Sequence, residues 1–179
     1  MFNSRSRREV SMAVFWTVKI AGVSGTGKTT VMEGLRSNST CSDVVVYSQL
    51  LKQFGGDQAL ADIQLAKILS QAEGLVLMDD HLEFDNPNKT MNYERENTRG
   101  IVLLDVPLRD LLKRISLDTK RSGREIDQQV ISQHLVSSRV KALKLSQETK
   151  TPLLLIPNLE GEIGRSIKVI TAFVLANSP

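Results

Sequence analysis

Cysteine is nearly absent from this chain: Cys41 stands alone. One thiol cannot close an intramolecular disulfide, so stability must come from burial and hydrogen bonding, and a reducing cytoplasm is the expected setting. Long hydrophobic runs are missing too. No apolar stretch approaches the roughly 18 residues of a membrane span, and the short apolar stretch near Val14 leads straight into a glycine-rich loop rather than a cleavage site. Charge of one sign is also in short supply. The net charge is +3, and the cations cluster only at Arg5, Arg7 and Arg8 and again from Lys113 to Arg124. Neither a membrane nor a nucleic acid is therefore expected as a partner.

What remains is an ordinary globular composition, with 41% hydrophobic and 24% charged residues over 179 positions. That length suits one domain with a real core. Residues 1–11 are polar, rich in Ser and Arg, and carry no period, so they read as a disordered extension before a domain spanning 12–179.

Short apolar runs alternate with longer helical patterns, which predicts an α/β domain around a doubly wound parallel sheet. Strands are expected at Phe15–Ala21, Val44–Tyr47, Leu75–Met78, Ile101–Leu104 and Leu153–Ile156. Helices are expected at Lys28–Ser37, Ala59–Ala72, from Pro107 through Ile115, Gln128–Lys144 and Ile163–Ala176. Residues 82–100 are polar and read as a surface loop. Doubly wound folds bind ligands beyond the carboxyl ends of their strands, and Asp79 and Asp105 stand at two such ends.

The most specific motif is Gly22-Val-Ser24-Gly25-Thr26-Gly27-Lys28-Thr29, an ungapped G-x-x-x-x-G-K-[ST] between a strand and a helix. Its glycines permit a tight turn whose N–H groups point at phosphate oxygens. The helix beginning at Lys28 adds the positive end of its dipole. Gly22, Ser24, Gly25, Thr26, Gly27, Lys28, Thr29 and Thr30 are thus the expected triphosphate-binding residues. Lys28 is expected on the terminal phosphates and the Thr29 hydroxyl on Mg²⁺. Asp79 and Asp80, ending the apolar run Leu75–Met78, have the form of a Walker B pair, with a bland alternative in which one of them only caps the following turn. His81 reads as a general base, a water positioner or a satisfied polar group. The segment Asp118 to Asp127 sets Lys120, Arg121 and Arg124 around Gly123 between two helical patterns. Cations on a closing loop suit a transferring phosphoryl group, so Arg121 and Arg124 are expected catalytic, with Arg139 pointing back from the next helix.

These motifs resemble, in order, those of the P-loop nucleoside monophosphate kinases, most of all archaeal-type adenylate kinases and adenylate-kinase-like ATPases. Val18 to Thr30 is similar to their opening strand and loop, and Val76 to His81 to their strand ending in Asp-x-His. Leu111 to Ile115, Arg121 to Asp127, His134 and Arg139 are similar to their lid and following helix. The resemblance implies a five-stranded sheet ordered 2-3-1-4-5, a small lid at about 118–127 and an acceptor-binding segment at about 48–72. It also implies ATP and Mg²⁺ as ligands, with His81 beside the metal or the water. One departure stands out. Between Tyr47 and Gly74 there is no arginine, only Lys52, Gln58, Gln64 and Lys67 as candidate grips. A lysine is a point charge and not a bidentate fork, so the acceptor need not be AMP or a nucleotide at all. The expectation is an ATP phosphotransferase with a small acceptor. The alternatives are an ATPase driving a protein or ribonucleoprotein partner, and a nucleotide-binding protein without turnover.

Overall fold

A computed structural model describes residues 15–37, 43–80, 97–117 and 127–179, with Asp80 described through its backbone only. Five parallel strands form one sheet in the order β2-β3-β1-β4-β5. They are β1 (Phe15–Ala21), β2 (Asp43–Val45), β3 (Gly74–Asp80), β4 (Thr98–Leu104) and β5 (Leu153–Ile156). The helices among the described residues are α1 (Lys28–Ser37), α2 (Tyr47–Gln53), α3 (Gln58–Gln71), α4 (Leu108–Leu117), α5 (Gln128–Thr149) and α6 (Ile163–Ala176). The doubly wound sheet and its order are those expected. None of these helices is long and apolar enough to cross a membrane.

Both faces of a parallel sheet must be covered, and the strands show it. Val18 and Ile20 of β1 pack with Leu75, Leu77, Val102 and Leu104 beneath Val31, Met32 and Leu35 of α1 and Ile170 and Val174 of α6. On the other face Ala21, Ile101 and Leu103 meet Ala142 and Leu145 of α5. Further along that face, Val45, Val76 and Met78 meet Leu65 and Leu69 of α3. Ala142 and Leu145 on α5, and Leu65 and Leu69 on α3, recur at helical spacing, so each helix turns one apolar stripe to the sheet.

Local chemistry sets the boundaries. Asp57 accepts the Leu60 N–H (3.1 Å) to start α3, and Gly55 and Gly56, both at positive φ, turn the chain into it from α2. Asp127 accepts from Gln129 N–H (2.7 Å) and Val130 N–H (3.1 Å) to start α5. That helix runs five residues beyond the expected Lys144, because Leu145 extends its buried stripe and nothing breaks it before Lys150, which is left-handed at φ 54°. Two other expectations need correction. β2 ends at Val45, and Tyr47, expected as its last residue, opens α2 instead. The expected loop 82–100 ends in strand, since β4 begins at Thr98. The register against β1 steps from Thr17–Thr98 to Val18–Gly100, leaving Arg99 as an extra residue on β4. Residues 1–11 lie outside the described residues.

Gly100 marks a close approach. A Cβ there would lie 2.7 Å and 3.2 Å from the ring carbons Cε1 and Cζ of Phe173 on α6. Gly100→Val should lower stability by about 1–3 kcal/mol through overpacking. Phe173→Leu in the same chain should return part of that loss. Urea midpoints of the two single variants and the double test this; strictly additive effects would mean that the ring is not what restricts the site.

Candidate functional site

The carboxyl ends of all five strands open on one rim, and the chain leaves each of them at a residue of interest. From β1 it enters Gly22, from β2 it reaches Tyr47, from β3 it ends on Asp79 and Asp80, from β4 it passes to Asp105, and from β5 to Asn158. Register places Ile20 level with Asp79 and Ala21 level with Asp80, so the end of β3 stands beside the start of the loop Gly22–Thr29.

The loop has the conformation that its glycines were expected to allow. Gly22, Gly25 and Gly27 take φ values of 147°, 93° and 90°. A side chain at Gly22 would strike Thr26 Oγ1 at 2.7 Å and Leu104 O at 3.0 Å, so this loop packs against the end of β4. Lys28, only 8% exposed, folds inward and donates from Nζ to Gly22 O at 2.6 Å, with Val23 O at 3.4 Å. A buried ammonium needs such acceptors. Thr29 and Thr30 are exposed on the first turn of α1, where the leading N–H groups of a helix have no intrahelical partner. Thr26 differs from its neighbours. Its hydroxyl donates to Val23 O (2.9 Å) and its N–H to the same carbonyl (3.3 Å), so both donors brace the turn.

Asp79 is 7% exposed, and its Oδ1 accepts the Tyr47 N–H at 2.6 Å. The first residue of α2 is thus capped by a carboxylate from β3. The alternative expected for the Asp pair is a cap on the turn that follows; the Asp79 contact is instead with α2, which precedes it in sequence. The Tyr47 hydroxyl donates to Asp62 on α3, tying the two helices of the expected acceptor-binding segment together. Among the described residues no three His, Cys, Asp or Glu side chains converge as a metal cluster. Mg²⁺ does not require one, since it is commonly held by one or two carboxylates together with phosphates and water.

Arg139 reaches the rim from α5. Its Nε lies 2.9 Å and 3.0 Å from the two carboxylate oxygens of Asp105. Because Nε carries this contact, the terminal nitrogens have no hydrogen-bond partner among the described residues. His81, Arg121 and Arg124, with all of the expected lid except Asp127, lie outside the described residues. Asp127 itself, a nominal counter-charge for the lid cations, is engaged as the cap of α5.

Sequence reasoning passed over a second layer behind the loop. Asn158, 3% exposed, donates from Nδ2 to Thr26 O at 2.8 Å. Its Oδ1 accepts from Ser166 Oγ on α6 at 3.2 Å. Arg114 on α4 donates to the Asn158 main-chain oxygen and, at 3.4 Å, to Thr26 O. Next to it, Lys113 Nζ meets Glu160 at 2.8 Å and holds that carboxyl below its usual pKa. The signal available was positional: Asn158 follows Pro157 at the carboxyl end of β5, where doubly wound folds place ligands.

No protein-family model matches the chain, and no curated protein matches it in sequence. Solved structures do resemble it. The shikimate kinase from Acinetobacter baumannii, in complex with shikimate, is 18% identical, with a TM-score of 0.58 over 93% of this chain and 96% of the other. The shikimate kinase from Bacteroides thetaiotaomicron is 12% identical, with a TM-score of 0.59 over 89% of this chain and 98% of the other. At these identities the likeness establishes the fold, and the adenylate-kinase resemblance continues to rest on the sequence motifs. The chain has the five-stranded P-loop kinase fold to which the nucleoside monophosphate kinases also belong.

Proposed function

We propose that this chain is a P-loop phosphotransferase that moves the γ-phosphoryl group of ATP to an oxygen of a small acceptor. The observation that carries the reading is the loop Gly22–Thr29, a glycine cradle between the central strand and α1 with Lys28 folded inside it. In the reaction the acceptor oxygen bonds to the γ-phosphorus, the bond from that phosphorus to the β-bridging oxygen breaks, and ADP leaves. A hydroxyl acceptor passes its proton to a rim base or to water. The protein's part is positioning and charge. Loop N–H groups and Lys28 hold the β- and γ-phosphates, and Arg139, Arg121 and Arg124 cover the transferring group. Thr29 and Asp79, with Asp80, would hold Mg²⁺, which supplies charge neutralisation at the bridging oxygens. The lack of arginine between Tyr47 and Gly74, together with the shikimate kinase neighbours, favours a small metabolite over a nucleoside monophosphate as acceptor. The test is ADP release measured across a panel of both classes. Stimulation by one class identifies the acceptor, whereas equal release with none present points to hydrolysis.

Lys28→Ala should abolish turnover in a folded protein. Removing one preorganised charge from a transferring phosphoryl group costs roughly 3 kcal/mol or more. Wild-type turnover in that variant, with native circular dichroism, would remove the assignment.

The metal reading can be separated from the cap. Asp79→Asn retains an oxygen for the Tyr47 N–H but loses the charge, so it should cost less stability than Asp79→Ala while blunting the response of turnover to Mg²⁺. Asp79→Ala should lose both. Activity unaffected by EDTA, or a wild-type Mg²⁺ titration in Asp79→Asn, would show that Asp79 is a helix cap only.

For the lid, Arg121→Ala and Arg124→Ala should lower kcat more than ATP affinity, because such contacts mature in the transition state. Steady-state kinetics beside ATP titrations report this split. Two variants with wild-type kcat would leave the lid without a catalytic part.

A further inference from the structure

We propose that Asn158 is a positioning residue for the phosphate loop, setting the peptide between Thr26 and Gly27 so that the Gly27 N–H turns toward the triphosphate. This rests on the reading of Gly22–Thr29 as the triphosphate site.

The chemistry of the partners fixes the orientation of the amide. Thr26 O can only accept, so the group 2.8 Å from it is the Asn158 NH₂. The opposite end, Oδ1, takes the Ser166 hydroxyl at 3.2 Å. Both ends of a side chain that is 3% exposed are therefore committed, and a buried amide with satisfied partners has one stable setting. Arg114 spans the same junction, donating to the Asn158 and Thr26 carbonyls. Gly27 supplies the room: at φ 90° it carries no side chain, and a Cβ there would sit 2.8 Å from Asn158 Nδ2.

In a planar trans peptide the carbonyl and the following N–H point in opposite directions. Drawing Thr26 O toward Asn158 therefore turns the Gly27 N–H away from it. That N–H donates to no acceptor among the described residues, and the next residue is Lys28, at the start of α1. The loop is thus held from behind, by α6 through Ser166 and by α4 through Arg114. Without the amide, the Thr26 carbonyl keeps only the 3.4 Å contact from Arg114, and the peptide is free to rotate.

Asn158→Asp keeps the shape and the acceptor for Ser166 but cannot donate, and it places a carboxylate against a carbonyl. Ser166→Ala leaves Asn158 in place and removes only the brace on Oδ1. Calorimetric titration of the full chain with MgATP, MgADP and adenosine, beside urea unfolding without ligand, separates positioning from stability. We expect MgATP affinity to fall at least tenfold in Asn158→Asp and severalfold in Ser166→Ala, with adenosine affinity changed less than twofold. Equal losses for adenosine and MgATP would reduce Asn158 to a structural residue and overturn the proposal. Wild-type MgATP affinity in Ser166→Ala and in Asn158→Asp would overturn it while leaving the triphosphate site intact. Should Asn158→Asp fail to fold, Ser166→Ala alone decides, and wild-type MgATP affinity there counts against the proposal. A wild-type chain that does not bind MgATP overturns the triphosphate reading itself, and this inference with it.

Discussion

Placing β1 in the middle of five parallel strands constrains everything else in the molecule. Every strand then points its carboxyl end at the same rim, and the loop leaving β1 is flanked by β3 on one side and β4 on the other. That loop cannot wander. Leu104 at the end of β4 closes on Gly22, and α1 is drawn down onto the sheet by Val31, Met32 and Leu35, all fully buried. Three such side chains contribute roughly 1.5–3 kcal/mol each by removal from water, well above the cost of a few glycines held at positive φ. Core packing therefore offsets the strain of the loop, and the position of Gly22–Thr29 is a consequence of where the central strand must end.

Where one periodicity dominated, the sequence was legible. β1, α1, β5 and α6 lie at the expected residues because alternating or helical apolar patterns stop at Gly, Pro or Ser. The failures have physical causes of another kind. Val46 and Tyr47 look like strand by composition, yet α2 begins at Tyr47 because a carboxylate 32 residues later in the chain caps its N–H. No local pattern encodes that contact. β4 starts before its apolar run because Thr98 and Gly100 pair with β1 across a bulge, and Gly100 is there for the ring of Phe173 rather than for a turn. The loop Gly22–Thr29 could be read as a motif between a strand and a helix, but its support could not. Asn158, Arg114 and Ser166 come from three separate elements and meet only after folding.

Asp79 illustrates how one carboxylate joins two parts of the fold. Its backbone closes β3 level with Ile20, beside the loop Gly22–Thr29, while its side chain accepts the first N–H of α2, the first helix of the proposed acceptor-binding segment. Charge-assisted hydrogen bonds of this kind are roughly twice as strong as neutral ones. A change in the charge around Asp79 is therefore felt at the start of α2. Tyr47 passes the connection on to α3 through Asp62.

The cations around the rim differ in how firmly they are held, and magnitudes sort them. Arg139 and Asp105 are 47% and 25% exposed. A pair that accessible is worth about 0–1 kcal/mol, so a phosphate arriving at the rim can draw Arg139 away at little cost. Its bond through Nε leaves the two terminal nitrogens without a hydrogen-bond partner among the described residues. Lys28 is buried and donates to carbonyl dipoles of its own loop, and under the proposed function a triphosphate would offer it full negative charges. Arg114 is the opposite case. Its guanidinium bridges two main-chain carbonyls on separate segments, and removing it would take that donor from Asn158 O in partly buried surroundings, a penalty of about 1–3 kcal/mol for such a group, while Thr26 O keeps the Asn158 amide. Lys28 and Arg139 are thus the cations that can change partners, while Arg114 belongs to the frame against which they move.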